Sequence, residues 1–299
     1  MSAERRPSDA GGSRRHPRRP LLLATVATVV IALVAVLAAL LRPHGNDRPT
    51  ALPTARASAS PTAVPGPPTA PPGWHTLWQD DFSGPALDTR RWFVYSGQPS
   101  DGPGAWWQPD RVSQAAGILT VRGAAEPRRG GQLVTGGLNS GSAPSYAYGR
   151  VLARVRVDPS PDVAYGVLLV PPGRRSGDGY VVVAGDGGGD RKKARGGLRT
   201  RSLSGAPVSF QRDGEIDLRD WHVIGVDWSP GLLRFLVDGR TWATIRSPLV
   251  PKTPLALALQ TQAVCDKPVS GRCPARTSTP VDLKVDWVAE LARVAPGQP

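Results

Sequence analysis

"WHVIGVDWSPGLLRFLVDGRTWATI", Trp221–Ile245, carries three apolar runs of strand length parted by two turn signals, and its reading decides the fold class. Pro230-Gly231 separates the first run from the second. Asp238-Gly239 separates the second from the third with the residue pair that accepts positive φ at the tip of a two-residue hairpin. A helix of this length would show an apolar stripe every three to four residues; none is present.

The same signature extends outward in both directions. "GILTVRG", "GRVLARVRV", "AYGVLLV" and "GYVVVAG" precede the hairpin, and "LALALQTQ" and "VDLKVDW" follow it, each bounded by turn residues. Val151, Ala153, Val155 and Val157 alternate with Leu152, Arg154 and Arg156, the period-two pattern of a strand with one buried face. Many short strands without helices predict an all-β antiparallel sandwich or jelly roll, and residues 74–299 are enough for one such domain with no second core.

The chain before Trp74 is of another kind. Residues 1–20 carry Arg5, Arg6, Arg14, Arg15, Arg18 and Arg19, and Leu21–Leu41 follows without a charge. At 1.5 Å per residue that run is about 31 Å long, the thickness of a bilayer core, so it reads as one transmembrane helix. The arginines place the N-terminus in the cytoplasm and the rest outside. A cleaved secretory signal is the rival reading, although its apolar core is usually only about 7 to 15 residues. Residues 42–73 are rich in Pro, Ala, Ser and Thr and read as a disordered extracellular linker holding a domain off the membrane.

The formal net charge is +13; the nine Arg and three acids of residues 1–73 account for +6, which leaves +7 on the rest. That excess describes a solvated basic surface or one drawn to anionic wall polymers or lipid headgroups. No nucleic-acid-binding motif accompanies it, so nucleic acid is not an expected partner. Cys265 and Cys273 are the two cysteines, with Pro268 and Gly271 turning the chain between them. Outside the cytoplasm they are expected to form a disulfide, contributing about 2.6 kcal/mol on the chain-entropy model.

Five blocks in order, "WQDDFSGPALDTRRW", "GILTVRG", "SYAYGRVLARVRV", "WHVIGVDWSPGLLRFLVDG" and "VDLKVDWVAEL", resemble glycoside hydrolase family 16, the laminarinase and lichenase group. The resemblance implies a concanavalin A-like β-jelly roll whose concave sheet forms a polysaccharide cleft. It implies retaining hydrolysis of β-glucans or galactans by two glutamates on one strand, spelled Glu-Ile-Asp-x-x-Glu or Glu-Ile-Asp-x-Glu. Retention needs the two carboxyls about 5 to 5.5 Å apart. A regular strand presents only even separations on one face, so the five-residue spacing needs a β-bulge.

In this sequence the matching strand is "GDGYVVVAGDGG", Gly177–Gly188. Tyr180 stands for the nucleophile, Val182 for the bridging Asp and Gly185 for the acid/base, so the catalytic strand reads as degenerate. A one-residue shift offers Asp186 as an acid without restoring the pair. "GEIDLRDW" has a similar spelling in Glu215, Asp217 and Asp220, but Trp221-His222 and the Trp228-x-Pro230 turn put it beyond the catalytic strand. Glu215 and Asp220 are then the displaced acids an active enzyme would have to use. The family's Gly-Arg-Phe-Glu-Ala-Arg reads Gly149–Arg154, with Leu152 in place of a glutamate expected to face the cleft.

Trp106 and Trp107, in the loop-like "DGPGAWWQPD", are candidates for stacking on sugar rings, together with Tyr180. Trp92, Trp228 and Trp287 are expected in the core, and His75 and His222 have no ligand spacing. No cofactor is expected; the resemblance allows a structural Ca²⁺, with Asp286 as a ligand. Three readings follow: a membrane-anchored, catalytically degenerate domain that binds β-glucan or wall polysaccharide, an active retaining endo-β-glucanase with displaced acids, and a protein-interaction module of the cell envelope.

Overall fold

The computed structural model describes residues 66–99, 104–141, 146–172, 179–202, 204–265, 268–276 and 278–294. The basic tail, the expected transmembrane span at residues 21–41 and the expected linker up to residue 65 lie outside the described residues. Among the described residues no helix is long and apolar enough to cross a membrane.

Among the described residues sixteen strands follow one another: β1 (Trp74–Asp80), β2 (Phe93–Val94), β3 (Val112–Ala115), β4 (Ile118–Glu126), β5 (Gln132–Val134), β6 (Gly137–Asn139), β7 (Gly149–Val157) and β8 (Val163–Val170), then β9 (Tyr180–Gly185), β10 (Lys193–Arg201), β11 (Pro207–Glu215), β12 (His222–Ser229), β13 (Leu232–Val237), β14 (Arg240–Arg246), β15 (Ala256–Ala263) and β16 (Val281–Arg293). They pair antiparallel into two sheets. The nine-stranded sheet runs β14-β13-β12-β7-β16-β4-β3, with β1 also on β16 and β5 on β4. The seven-stranded sheet runs β11-β10-β9-β8-β15-β6-β2.

The core lies between the sheets because the strands alternate. Val155, Val226, Phe235 and Val285 from one sheet join Val167, Val181, Leu198 and Leu257 from the other in one buried cluster. Each such side chain taken out of water stabilises the fold by about 1.5 to 3 kcal/mol. The β13–β14 hairpin forms where the sequence predicts it: Asp238 and Gly239 have φ of 47° and 78°, the positive values of a two-residue turn. The Asp238 carboxylate also reaches β12, accepting from the Val223 N–H at 2.9 Å and meeting His222 Nδ1 at 2.7 Å. His222 is thereby a structural residue that ties the hairpin tip to its neighbour.

Trp92 and Trp228 are in the core as expected. Trp287 is buried too, but elsewhere. A bulge at Asp286 shifts the register of β16 against β7, so Trp287 joins Leu152, Leu236, Ala289 and Leu291 in a cluster on the outer side of the nine-stranded sheet. Leu152 therefore corrects its sequence reading: it belongs to that outer cluster, on the sheet that does not contain β9, and its substitution removes nothing from a cleft on the other sheet. The docked domain also begins before Trp74, since Gly73 accepts from the Val294 N–H at 3.0 Å and Ala70 packs on the outer cluster.

Candidate functional site

β9 lies inside the seven-stranded sheet between β8 and β10, and its register contains the feature that matters. Val181 and Val182 pair with Leu169 and Leu168, whereas Val167 pairs with Ala184, so Val183 is the extra residue of a β-bulge. The β10 register steps at the same place, from Gly197 opposite Val182 to Arg195 opposite Gly185. A bulge turns the five-residue spacing into a one-face spacing. Tyr180, Val182 and Gly185 thus share the outer face, while Val181, Val183 and Ala184 belong to the core.

The cross-strand neighbours extend this open face. Arg199 pairs with Tyr180, Gly197 with Val182 and Arg195 with Gly185 on β10. Beyond them Gln211 and Asp213 lie on β11. On the other side come Gly166 and Leu168 of β8, Ala258 and Gln260 of β15, Asn139 of β6 and Phe93 of β2. β9 itself offers no carboxylate. Asp213 is engaged by Arg195 at 2.9 Å. Asp186, just past β9, is held at 2.6 and 2.7 Å by the fully buried Arg191. The Tyr180 phenol has a guanidinium as its cross-strand partner, which accepts no proton.

The acids of "GEIDLRDW" do not assemble. Glu215 ends β11, the edge strand, where its exposed carboxylate pairs with Lys193 at 3.1 Å. Asp217 bonds Arg219 Nε at 2.7 Å, and that hydrogen bond lowers its pKa to about 2, which keeps it ionised and unable to donate a proton at neutral pH. Asp220 is exposed in the turn that leads to β12.

The tryptophan pair divides. Trp107 is only 8% exposed; its indole N–H donates to the Thr261 carbonyl at 3.0 Å and its ring lies 4.8 Å from that of Tyr95. The expected sugar platform at Trp107 is buried, and its indole N–H is tied to a residue 154 positions away in sequence. Trp106 is partly exposed, with the Arg129 guanidinium 4.3 Å over its ring. The aromatic that the sequence reading missed is Phe93, 51% exposed at the β2 end of the open face. A two-residue strand gives too little alternation to reveal it.

Arg195 and Arg199 were also missed as site residues. "KARGGLRTR" reads as a glycine- and arginine-rich interruption, yet period two places Ala194 and Leu198 in the core and the cations outward. Asp286 does not fit a calcium site. Its carboxylate accepts from Arg154 Nη1 at 2.8 Å, a cation where a second cation would have to sit, and among the described residues no group of three or more His, Cys, Asp or Glu is placed to hold a metal. Cys265 and Cys273 are joined by a disulfide with Cα atoms 5.5 Å apart.

No family model matches the chain. It is 26% identical over 269 residues to the glucan endo-1,3-beta-glucosidase A1 of Niallia circulans, covering 75% of this chain and 39% of that protein. With the beta-glucanase of Rhodothermus marinus it shares 23% identity over 183 residues, 56% of this chain and 64% of that one. The chain thus spans less than two thirds of the length of either relative. Among solved structures, a non-specific endo-beta-1,3(4)-glucanase from family GH16 superposes with a TM-score of 0.62 at 16% identity, over 76% of this chain and 94% of that one. The sandwich is therefore a jelly roll of the kind found in β-glucanases. Within that class the chain resembles glycoside hydrolase family 16, as its five sequence blocks indicate.

Proposed function

We propose that the domain binds a β-glucan or cell-wall polysaccharide on the open face of the seven-stranded sheet without cleaving it. In this reading the chain is held at the membrane by Leu21–Leu41, with its N-terminus in the cytoplasm and the domain outside. The observation that carries it is β9: the bulge that would align a nucleophile and an acid/base is present, while the aligned positions hold a phenol, an isopropyl group and a hydrogen. Retaining hydrolysis needs two carboxyls there, so hydrolysis loses its chemistry and keeps its platform. The groups that grip a sugar without breaking it remain on that face, among them the Gln260 and Gln262 amides, Asn139 and the exposed Phe93 ring.

The test is to incubate the full chain, solubilised in detergent, with laminarin, lichenan, agarose and isolated cell walls. Retention on at least one of them without new reducing ends is expected. Reducing-end release that disappears in Glu215→Gln would establish the displaced-acid enzyme instead. Absence of retention on all four would favour a protein-interaction module of the envelope.

A further inference from the structure

We infer that the polysaccharide taken by this face is an anionic one, bearing carboxylate or ester-linked sulfate or phosphate groups. The inference rests on the binding reading above and adds the substrate class. Its basis is the charge that β10 and β11 bring to the open face beside β9. Strand alternation turns Lys193, Arg195, Arg199 and Arg201 outward from β10, and Asp213 and Glu215 outward from β11.

Four cations thus face two carboxylates, and the pairing is uneven. Asp213 engages Arg195 at 2.9 Å and Glu215 engages Lys193 at 3.1 Å. Arg201 donates to the neutral Gly205 carbonyl at 2.9 Å, which leaves its charge uncompensated. The Arg199 side chain makes no hydrogen bond or ion pair among the described residues, and Arg199 is the cross-strand partner of Tyr180. A guanidinium is a fork of donors with no acceptor, and its strong partner is a planar or tetrahedral oxyanion rather than a hydroxyl.

The floor around these cations suits a polymer. Bare Gly197 lies between Arg195 and Arg199 on the same face, and four residues of strand separate the two guanidinium-bearing positions by about 13 Å. A polymer carrying more than one charge can engage Arg199 and also share the Arg195 guanidinium with Asp213. Position 185, opposite Arg195, is also glycine, so no side chain of β9 stands there to neutralise it. A face that lacks its two acids and gains two arginines has reversed its electrostatic preference.

The experiment measures affinity of the full chain in detergent for polygalacturonate and dextran sulfate against laminarin and uncharged dextran. At least one polyanion should bind about ten-fold or more tightly than laminarin, the scale of one charge-assisted hydrogen-bond pair. The better-bound polyanion separates a preference for carboxylate from one for a tetrahedral oxyanion, the geometry that sulfate and phosphate esters share. Arg199→Gln should weaken that binding about ten-fold. Arg240→Gln, which removes an exposed cation on β14 of the other sheet, should leave it nearly unchanged. Equal losses in the two variants would overturn the inference, since diffuse charge would then explain the binding. Laminarin bound as tightly as the polyanions would overturn it while sparing the binding reading. Failure to bind either polyanion would overturn the inference, and the binding reading would then be decided by lichenan, agarose and isolated cell walls.

Discussion

Glu290 shows how far one residue's chemistry departs from its type once the fold surrounds it. It lies on the core face of β16, opposite Val151, only 5% exposed and beside a small cavity lined by Leu77, Tyr148, Leu169, Trp228 and Leu255. Arg150 also lines the cavity but spends its guanidinium on Asp227, at 2.9 Å for Nη2. Burial raises the Glu290 pKa from an ordinary 4.5 to about 7, so the folded domain keeps a proton that the unfolded chain releases. Its contribution to stability is complete below pH 4.5 and is lost as pH rises from there through about 7. The full span corresponds to about 3 kcal/mol. Glu290→Gln should therefore stabilise the domain at pH 8 relative to the parent and change little at pH 4. Urea denaturation at both values checks it, and a substitution effect that is the same at pH 4 and pH 8 would rule it out.

At the scale of a strand, β9 has a bulge and no carboxylate, and under the proposed binding role this makes restoration a sharp question. A Cβ built at Gly185 would stand 3.0 Å from the Tyr165 carbonyl oxygen and 3.3 Å from Val182 Cγ1, tighter than side chains ordinarily pack. A glutamate there would also face Arg195 across the strands. An adjacent guanidinium favours the ionised carboxylate, the wrong form for a group that must protonate a leaving oxygen. The triple variant Tyr180→Glu, Val182→Asp, Gly185→Glu should fold less stably and release few reducing ends from laminarin. A turnover of about 1 s⁻¹ or more, the low end of ordinary enzymes, would defeat this argument. The same strands show what a sequence discloses. The Asp238-Gly239 hairpin was legible because its turn chemistry is local, and the Cys265–Cys273 bond because nothing else competes for either thiol. The bulge in β16 was not: it inverts the inward parity, so "VDLKVDWVAEL" conceals that Glu290 enters the core and Trp287 leaves it. Tyr180, Val182 and Gly185 could be placed on one strand from their spacing and the resemblance, whereas the cations of β10 disappeared into a glycine-rich spelling. The burial of Trp107 was not legible because its indole N–H bonds to Thr261 of β15, which no local pattern announces.

For the whole molecule the open issue is where such a face would meet its polymer, and three features bear on it together. A disulfide joins Cys265 and Cys273, and bonds of this kind persist in oxidising compartments. The domain carries +7 of the chain's +13, a sign that attracts anionic polymers within about a Debye length, roughly 8 Å at physiological salt. The sequence before it offers an uncharged run of bilayer length behind six arginines, and the proposed topology reads this as cytoplasm, membrane and exterior in order along the chain. An extracellular binding face on a membrane tether is consistent with all three. The expected result in a bacterial host is that the chain sediments with membranes and stays there after an alkaline wash, which strips peripheral proteins. Protease added to intact spheroplasts should remove the domain while sparing a tag placed before Met1. Deleting residues 1–41 behind a cleavable export signal should release a soluble, disulfide-bonded domain. If alkaline washing frees the parent chain, the uncharged run is not a membrane span; if the tag rather than the domain is digested, the orientation is reversed and the disulfide would have to form without an oxidising exterior.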